Sequence, residues 1–159
     1  MDMSEGKKST ILLISQVFVP DSPSVGQHLY DLSKGLIEKG HRVVVFTPRG
    51  GYEDPVIRFS KKEKLQGIEI IRLPFCSFGK KPIILRLLGG ISLVLQSAIR
   101  GVFIRRLKYI LISTAPPMSG LAAKFIALFK NVRIVYWVMD MNPDQMIVSG
   151  HLKESSLVA

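Results

Sequence analysis

Five short apolar runs punctuate the chain. They are Ile11-Leu12-Leu13-Ile14-Ser15, Arg42-Val43-Val44-Val45-Phe46-Thr47, Gly67-Ile68-Glu69-Ile70-Ile71-Arg72-Leu73, Tyr109-Ile110-Leu111-Ile112-Ser113 and Val132 to Val138. Runs this short and this continuously apolar predict strands buried on both faces, the kind found in parallel sheets; the third run alternates in part. Between the first two runs, Leu29, Leu32, Leu36 and Ile37 recur on one helical face. The Ser-x-x-Gln spacing of Ser24 and Gln27 predicts a capped helix start near Ser24, and Gly40 stops that helix as its C′ glycine. Ile83 to Ile104 reads as one long apolar helix and Met118 to Phe129 as a second, rich in Ala and Leu. Segments 48–55 and 74–82 read as loops, and Lys61 to Gln66 as a polar, charged linker. Strands alternating with helices predict one α/β domain, a doubly wound parallel sheet over residues 10–159 with helices on both faces, preceded by a polar tail at 1–9. In such sheets ligands bind outside the carboxyl ends of the strands. Those ends are Gln16 to Gly26, Thr47 to Arg49, Ser113 to Pro117 and Asp140 to Asp144.

Charge sharpens this picture. The chain of 159 residues carries a formal net charge of +10. The excess is concentrated: between Glu69 and Asp140 lie eleven Lys and Arg and no Asp or Glu. Such a block favours anionic partners: nucleic acid, phospholipid, nucleotide diphosphates or lipid phosphates. Nucleic acid rests on charge alone, without a stacking pattern or a recognition-helix motif, and is set aside. Cys76 is alone, so no internal disulfide forms and a reducing compartment is allowed; it reads as a small core residue. His28, His41 and His151 are scattered without ligand spacing, so no metal site is expected. The polar N-terminus carries no recognisable signal peptide.

The long apolar segment admits three readings. It has the length to span a bilayer, but Arg86 and Arg100 lie inside it. A central Arg costs roughly 2.5–3.5 kcal/mol on insertion scales. At about 100° per residue, Arg86, Gly90, Ser97 and Arg100 form one narrow polar stripe. In a soluble reading the helix packs on the sheet by its broad apolar face and shows this stripe to water. In a membrane-surface reading the apolar face is too broad for one sheet and its excess lies in a lipid interface, helped by Lys80, Lys81, Arg86, Arg100, Arg105 and Arg106. The second is favoured, and a spanning helix ranks last.

The loop after the first strand, Ser15 to Gly26, contains no Gly-x-Gly-x-x-Gly, and no Gly-x-x-x-x-Gly-Lys-Ser/Thr occurs anywhere. Dinucleotide binding and P-loop hydrolysis therefore lose their support, and no cofactor is expected. What remains is a long loop running into a helix N-terminus. Its free N–H groups suit an anion or sugar hydroxyl, and Gly26 permits close approach.

The first strand, the Pro-containing loop ending at Gly26, the helix Leu29 to Lys39, Gly40-His41-Arg42-Val43 and the strand to Thr47 resemble the N-terminal domain of family 4 glycosyltransferases with the GT-B fold. Ser113-Thr114-Ala115-Pro116-Pro117 and Tyr136-Trp137-Val138-Met139-Asp140-Met141-Asn142-Pro143-Asp144 resemble later strand ends of that domain in bacterial members that build surface polysaccharide. The resemblance implies the Rossmann-like N-terminal half of a two-domain enzyme, whose other half binds the nucleotide sugar and carries a paired-Glu motif. With Ala159 as the last residue, the sequence is expected to hold about half a transferase. Two departures stand out: relatives often have paired glycines where this chain has Val25-Gly26, and Pro-Asp where it has Leu107-Lys108.

The resemblance implies a retaining transfer from a nucleotide sugar to a lipid-linked acceptor, on the cytoplasmic face of the cell membrane. Asp140, an acid ending the fifth strand, would orient the acceptor hydroxyl. As a turn and cap signal with Asn142-Pro143 it has an equally weighted structural reading. Ser24, Gly26, Gln27, Ser113, Thr114 and Asn142 are the expected substrate contacts. The alternative is a non-catalytic membrane-surface or partner-binding module derived from such a domain.

Overall fold

The computed structural model describes residues 9–21, 24–52, 54, 56–76, 83–113 and 118–138. The chain forms β1 (Thr10–Ile14), α1 (Ser24–Glu38), β2 (Arg42–Pro48), β3 (Lys62–Leu65), β4 (Ile68–Leu73), α2 (Ile83–Val102), β5 (Leu107–Ser113), α3 (Ser119–Phe129) and β6 (Arg133–Trp137). The sheet order is β3-β4-β2-β1-β5-β6, and every pairing is parallel except β3 with β4. This is a Rossmann-like α/β sheet, consistent with half of a GT-B fold. The chain winds outward from β1 to β4 on one side, then crosses back to β5 on the other. The topological switch point therefore lies at the carboxyl ends of β1 and β5.

Lys61 to Gln66, expected to be a linker, instead supplies the edge strand β3. Gln66 and Gly67, at φ 47° and 87°, close a tight two-residue hairpin. Primed turns of this kind need two positive φ values, which an Asn-Gly or Asp-Gly dipeptide would have signalled and Gln66-Gly67 does not.

The end of the first helix has a clear local cause. The helix α1 ends in a Schellman motif: the Gly40 N–H donates to the Ile37 carbonyl and the His41 N–H to the Leu36 carbonyl, with Gly40 at φ +82°. That helix packs on one face of the sheet with Leu29, Val43, Val45, Ile68 and Ile70. On the other face α2 and α3 cover Leu12, Ile14, Val44, Phe46, Ile110 and Ile112. All five residues of β1 are buried because it is central and covered on both sides. The last strand, β6, is different. Ile134, Val135 and Tyr136 are exposed, on both faces of the strand, although the run is as apolar as β1.

The predicted polar stripe of the long helix is split: Arg86 and Arg100 are exposed and Leu93 and Val94 pack in the core, but Ser97 is buried with them. Ser97, from the predicted polar stripe, is 0% exposed, while Leu95 is 58% and Phe103 79% exposed. Small residues Gly101, Ala98 and Ser97 face inward; Ile84, Leu87, Leu88, Ile91, Leu95 and Ile99 face out. The inward Gly101 permits close packing: a Cβ there would run into Ile126 Cδ1 of α3. By length and composition α2 is apolar enough to cross a bilayer, but its small-residue face is occupied by the sheet and α3.

Candidate functional site at the strand carboxyl ends

The rim is built by the loop after β1, the start of α1, the segment after β2, and the last residues of β5 and β6. The β1–α1 loop is held by its own side chains. The Ser15 hydroxyl donates to the Val17 carbonyl at 2.8 Å and accepts the Val17 N–H at 3.3 Å. Phe18 is fully buried and meets Tyr30 of α1 edge to face, with centroids 6.3 Å apart. The Val19–Pro20 peptide is cis. Asp21 accepts the Tyr52 N–H at 2.7 Å and so ties this loop to the segment after β2.

An arginine that sequence reasoning passed over anchors the loop from below. Arg72 of β4 is almost wholly buried. Its Nη2 donates to the Val19 carbonyl at 2.8 Å and to Glu63 Oε1 at 2.6 Å, and its Nε to the same carboxylate oxygen at 3.0 Å. Its guanidinium also stacks over Phe59, 4.4 Å from the ring centroid. The signal was available: Arg72 shares the strand phase of Ile68 and Ile70, both buried, and a cation in a core phase needs partners.

The expected contacts are placed as follows. Ser24 begins α1 and is exposed; Gln27, also exposed, donates its amide to Asp31 at 3.4 Å rather than closing back on the helix start. Gly26 is buried, and a Cβ there would lie 3.2 Å from Phe18 Cα. Its lack of a side chain thus lets the Phe18 backbone pack closely against the start of the helix. Ser113 is buried at the end of β5, in register with Trp137 of β6, and its carbonyl accepts the Ser119 hydroxyl at 3.2 Å. Thr114, Asp140, Asn142, Lys80 and Lys81 lie outside the described residues.

The basic residues do not form one block. Arg86 lies in the first turns of α2, which leads away from the strand carboxyl ends, whereas Arg105 and Arg106 precede β5 at its amino end. Seven strand residues at about 3.3 Å each put roughly 20 Å between that turn and Ser113. Arg105 and Arg106 therefore cannot serve an acceptor held at the rim. The thiol of Cys76 is no nucleophile: burial pushes it up to about 11, against smaller lowering effects from a Ser92 hydrogen bond and Arg100. No group of three or more His, Cys, Asp or Glu that could hold a metal occurs among the described residues.

The rim thus offers a tethered loop, a helix N-terminus and two strand ends at a switch point, a layout suited to an anionic or hydroxyl-rich ligand. The family model of Glycosyltransferase Family 4 matches residues 25–151. The chain belongs to that family. No curated protein matches it. In this family 4 domain the match begins within the first turn of α1 and spans every later element, so membership rests on the sheet and its helices together.

Proposed function

We propose that this domain forms the acceptor side of a retaining GT-B glycosyltransferase in cell-surface polysaccharide synthesis. In this reading it holds a lipid-linked acceptor at the cytoplasmic face of the cell membrane. The nucleotide sugar is bound by a second Rossmann-like domain, in the same polypeptide or in a separate subunit. Asp140 orients the acceptor hydroxyl, and Ser113, Thr114 and the start of α1 contact the acceptor. The observation that carries the reading is the outward apolar face of α2, which begins at the same end of the sheet as the rim. A lipid-linked acceptor is presented at a bilayer, and an amphipathic helix lying in the interface brings the strand ends to it. With α2 still packed on the sheet, this arrangement is peripheral rather than spanning.

The purified 159-residue chain, mixed with detergent-solubilised lipid-diphosphate sugar, is expected to bind that acceptor, and to turn over no nucleotide sugar on its own. Turnover by this chain alone overturns the division of labour. Binding to anionic liposomes without affinity for any lipid-diphosphate sugar favours the non-catalytic module instead.

A further inference from the structure

A groove of about 650 Å³ runs along the sheet beside α2, on the face opposite α1. Its floor is apolar, with Phe46, Ile71 and Ile104, and Phe103 stands on its wall. Arg42, Arg100 and Arg105 line it at the amino end of the strands, while Arg72, Pro74, Lys61 and Lys62 line it where the start of β3 pairs with the carboxyl end of β4. Arg42 is paired with Glu69 at 2.6 Å. Arg72 is paired with Glu63, and Lys61, Lys62, Arg100 and Arg105 make no ion pair among the described residues. Lys61, Lys62, Arg100 and Arg105 are all solvent-exposed.

Charge and place single out the occupant. The groove adjoins the α2 helix whose apolar side faces water, and two separated sets of unpaired cations rim an apolar floor. We infer that this groove is the headgroup-binding channel of a membrane-docking surface. The phosphates of anionic phospholipids sit against Arg100 and Arg105 at one end and Lys61 and Lys62 at the other, while the outer face of α2 lies among the acyl chains. The inference rests on the peripheral-membrane part of the reading above and adds to it a contact by the β3–β4 hairpin. Its Lys61–Lys62 end lies beside the carboxyl end of β4, toward the rim, and its Arg100–Arg105 end lies away from it.

Co-sedimentation of the full chain with vesicles of phosphatidylcholine, with and without phosphatidylglycerol, tests both levels. Lys61→Gln/Lys62→Gln removes two charges that lie off α2 altogether. It is expected to weaken binding to phosphatidylglycerol vesicles about tenfold or more. Lys34→Gln/Lys39→Gln removes the same charge from α1, on the opposite face, and is expected to change binding less than twofold. Equal weakening by the two pairs means that net charge alone acts, and overturns the groove. Displacement by inorganic phosphate at constant ionic strength also overturns it, in favour of a soluble anion site. Leu88→Glu/Leu95→Glu decides the underlying reading separately: loss of binding to every vesicle supports it, and unchanged binding ends it. Thermal melts confirm that these exposed substitutions leave the fold intact.

Discussion

Arg72 is a cation placed where its strand would otherwise put an aliphatic side chain. Three hydrogen bonds and one aromatic face replace the water it gives up. Arg72→Met removes the anchor of the β1–α1 loop and leaves the Val19 carbonyl without this donor. Glu63 is partly exposed and regains water, so the cost falls below that of breaking a wholly buried pair: about 2–3 kcal/mol, measured by denaturant unfolding. Faster amide exchange at Phe18 to Asp21 is the local signature expected with it. Arg72→Lys does not rescue, because a single ammonium cannot reach both partners and stack on Phe59 together.

The pair Arg42–Glu69 is of another kind, open to solvent on both sides. The hydrogen bond from Arg42 holds the Glu69 carboxyl below its ordinary value, and partial burial opposes it. Because the folded value is depressed, the stabilisation is present above the ordinary carboxylate range and is lost as pH falls through the folded value. Solvent screening keeps it under about 1 kcal/mol. Glu69→Gln is therefore expected to lower stability slightly at pH 7. Urea midpoints of the two proteins should converge as the pH falls past the ordinary glutamate range and through the lower folded value.

Among the elements, α2 breaks the usual rule of amphipathic helices. Its inward face combines Leu93 and Val94 with Ser97, Ala98 and Gly101, and the Ser97 hydroxyl is buried without a hydrogen-bond partner among the described residues. Close approach to α3 is what this face provides. Gly101→Val drives a branched side chain into Ile126 and is expected to destabilise by about 2–3 kcal/mol. Ile126→Val alone costs roughly 0.5–1.5 kcal/mol. The double variant should lose less than the sum, since the smaller partner makes room; additive losses in a double-mutant cycle would show that the two do not share a contact.

Which face of α2 turns inward could not be read from periodicity. The moment of the helix locates a polar stripe but does not say whether water or a backbone lies against it; glycine and serine serve either purpose. The stop of α1 was legible because Gly40 gives it a local chemical cause, whereas the box predicted at its start does not close, since Gln27 reaches Asp31 instead. The hairpin β3–β4 was not, because a charged edge strand and a charged linker have the same composition: edge strands carry lysine to discourage pairing.

At the scale of the molecule, the parallel sheet followed from its buried runs, but the position of each strand within it did not. Arg133-Ile134-Val135-Tyr136-Trp137 and Thr10-Ile11-Leu12-Leu13-Ile14 are similar strings with opposite fates, one at an exposed edge and one at the centre. Only the topology separates them. The same limit applies to the basic residues: within one span of sequence without acids, Arg86 starts α2 near the carboxyl ends of the strands, and Arg105 and Arg106 precede β5 at its amino end. The rim, with its Asp21–Tyr52 tie, and the groove beside α2 meet at Arg72, which holds the rim loop and lines the groove.

The placement of β1 carries a consequence for how the molecule is made. It is the first strand synthesised, and Thr10 takes its two lateral partners from Arg42 and Leu107. At about 5–20 residues per second, a ribosome needs roughly 5–20 s to pass from the first strand to the fifth. Throughout that interval the most apolar strand of the sheet has an open edge. Its fully apolar string, useful at the centre of the finished domain, is during translation the segment with most need of a chaperone.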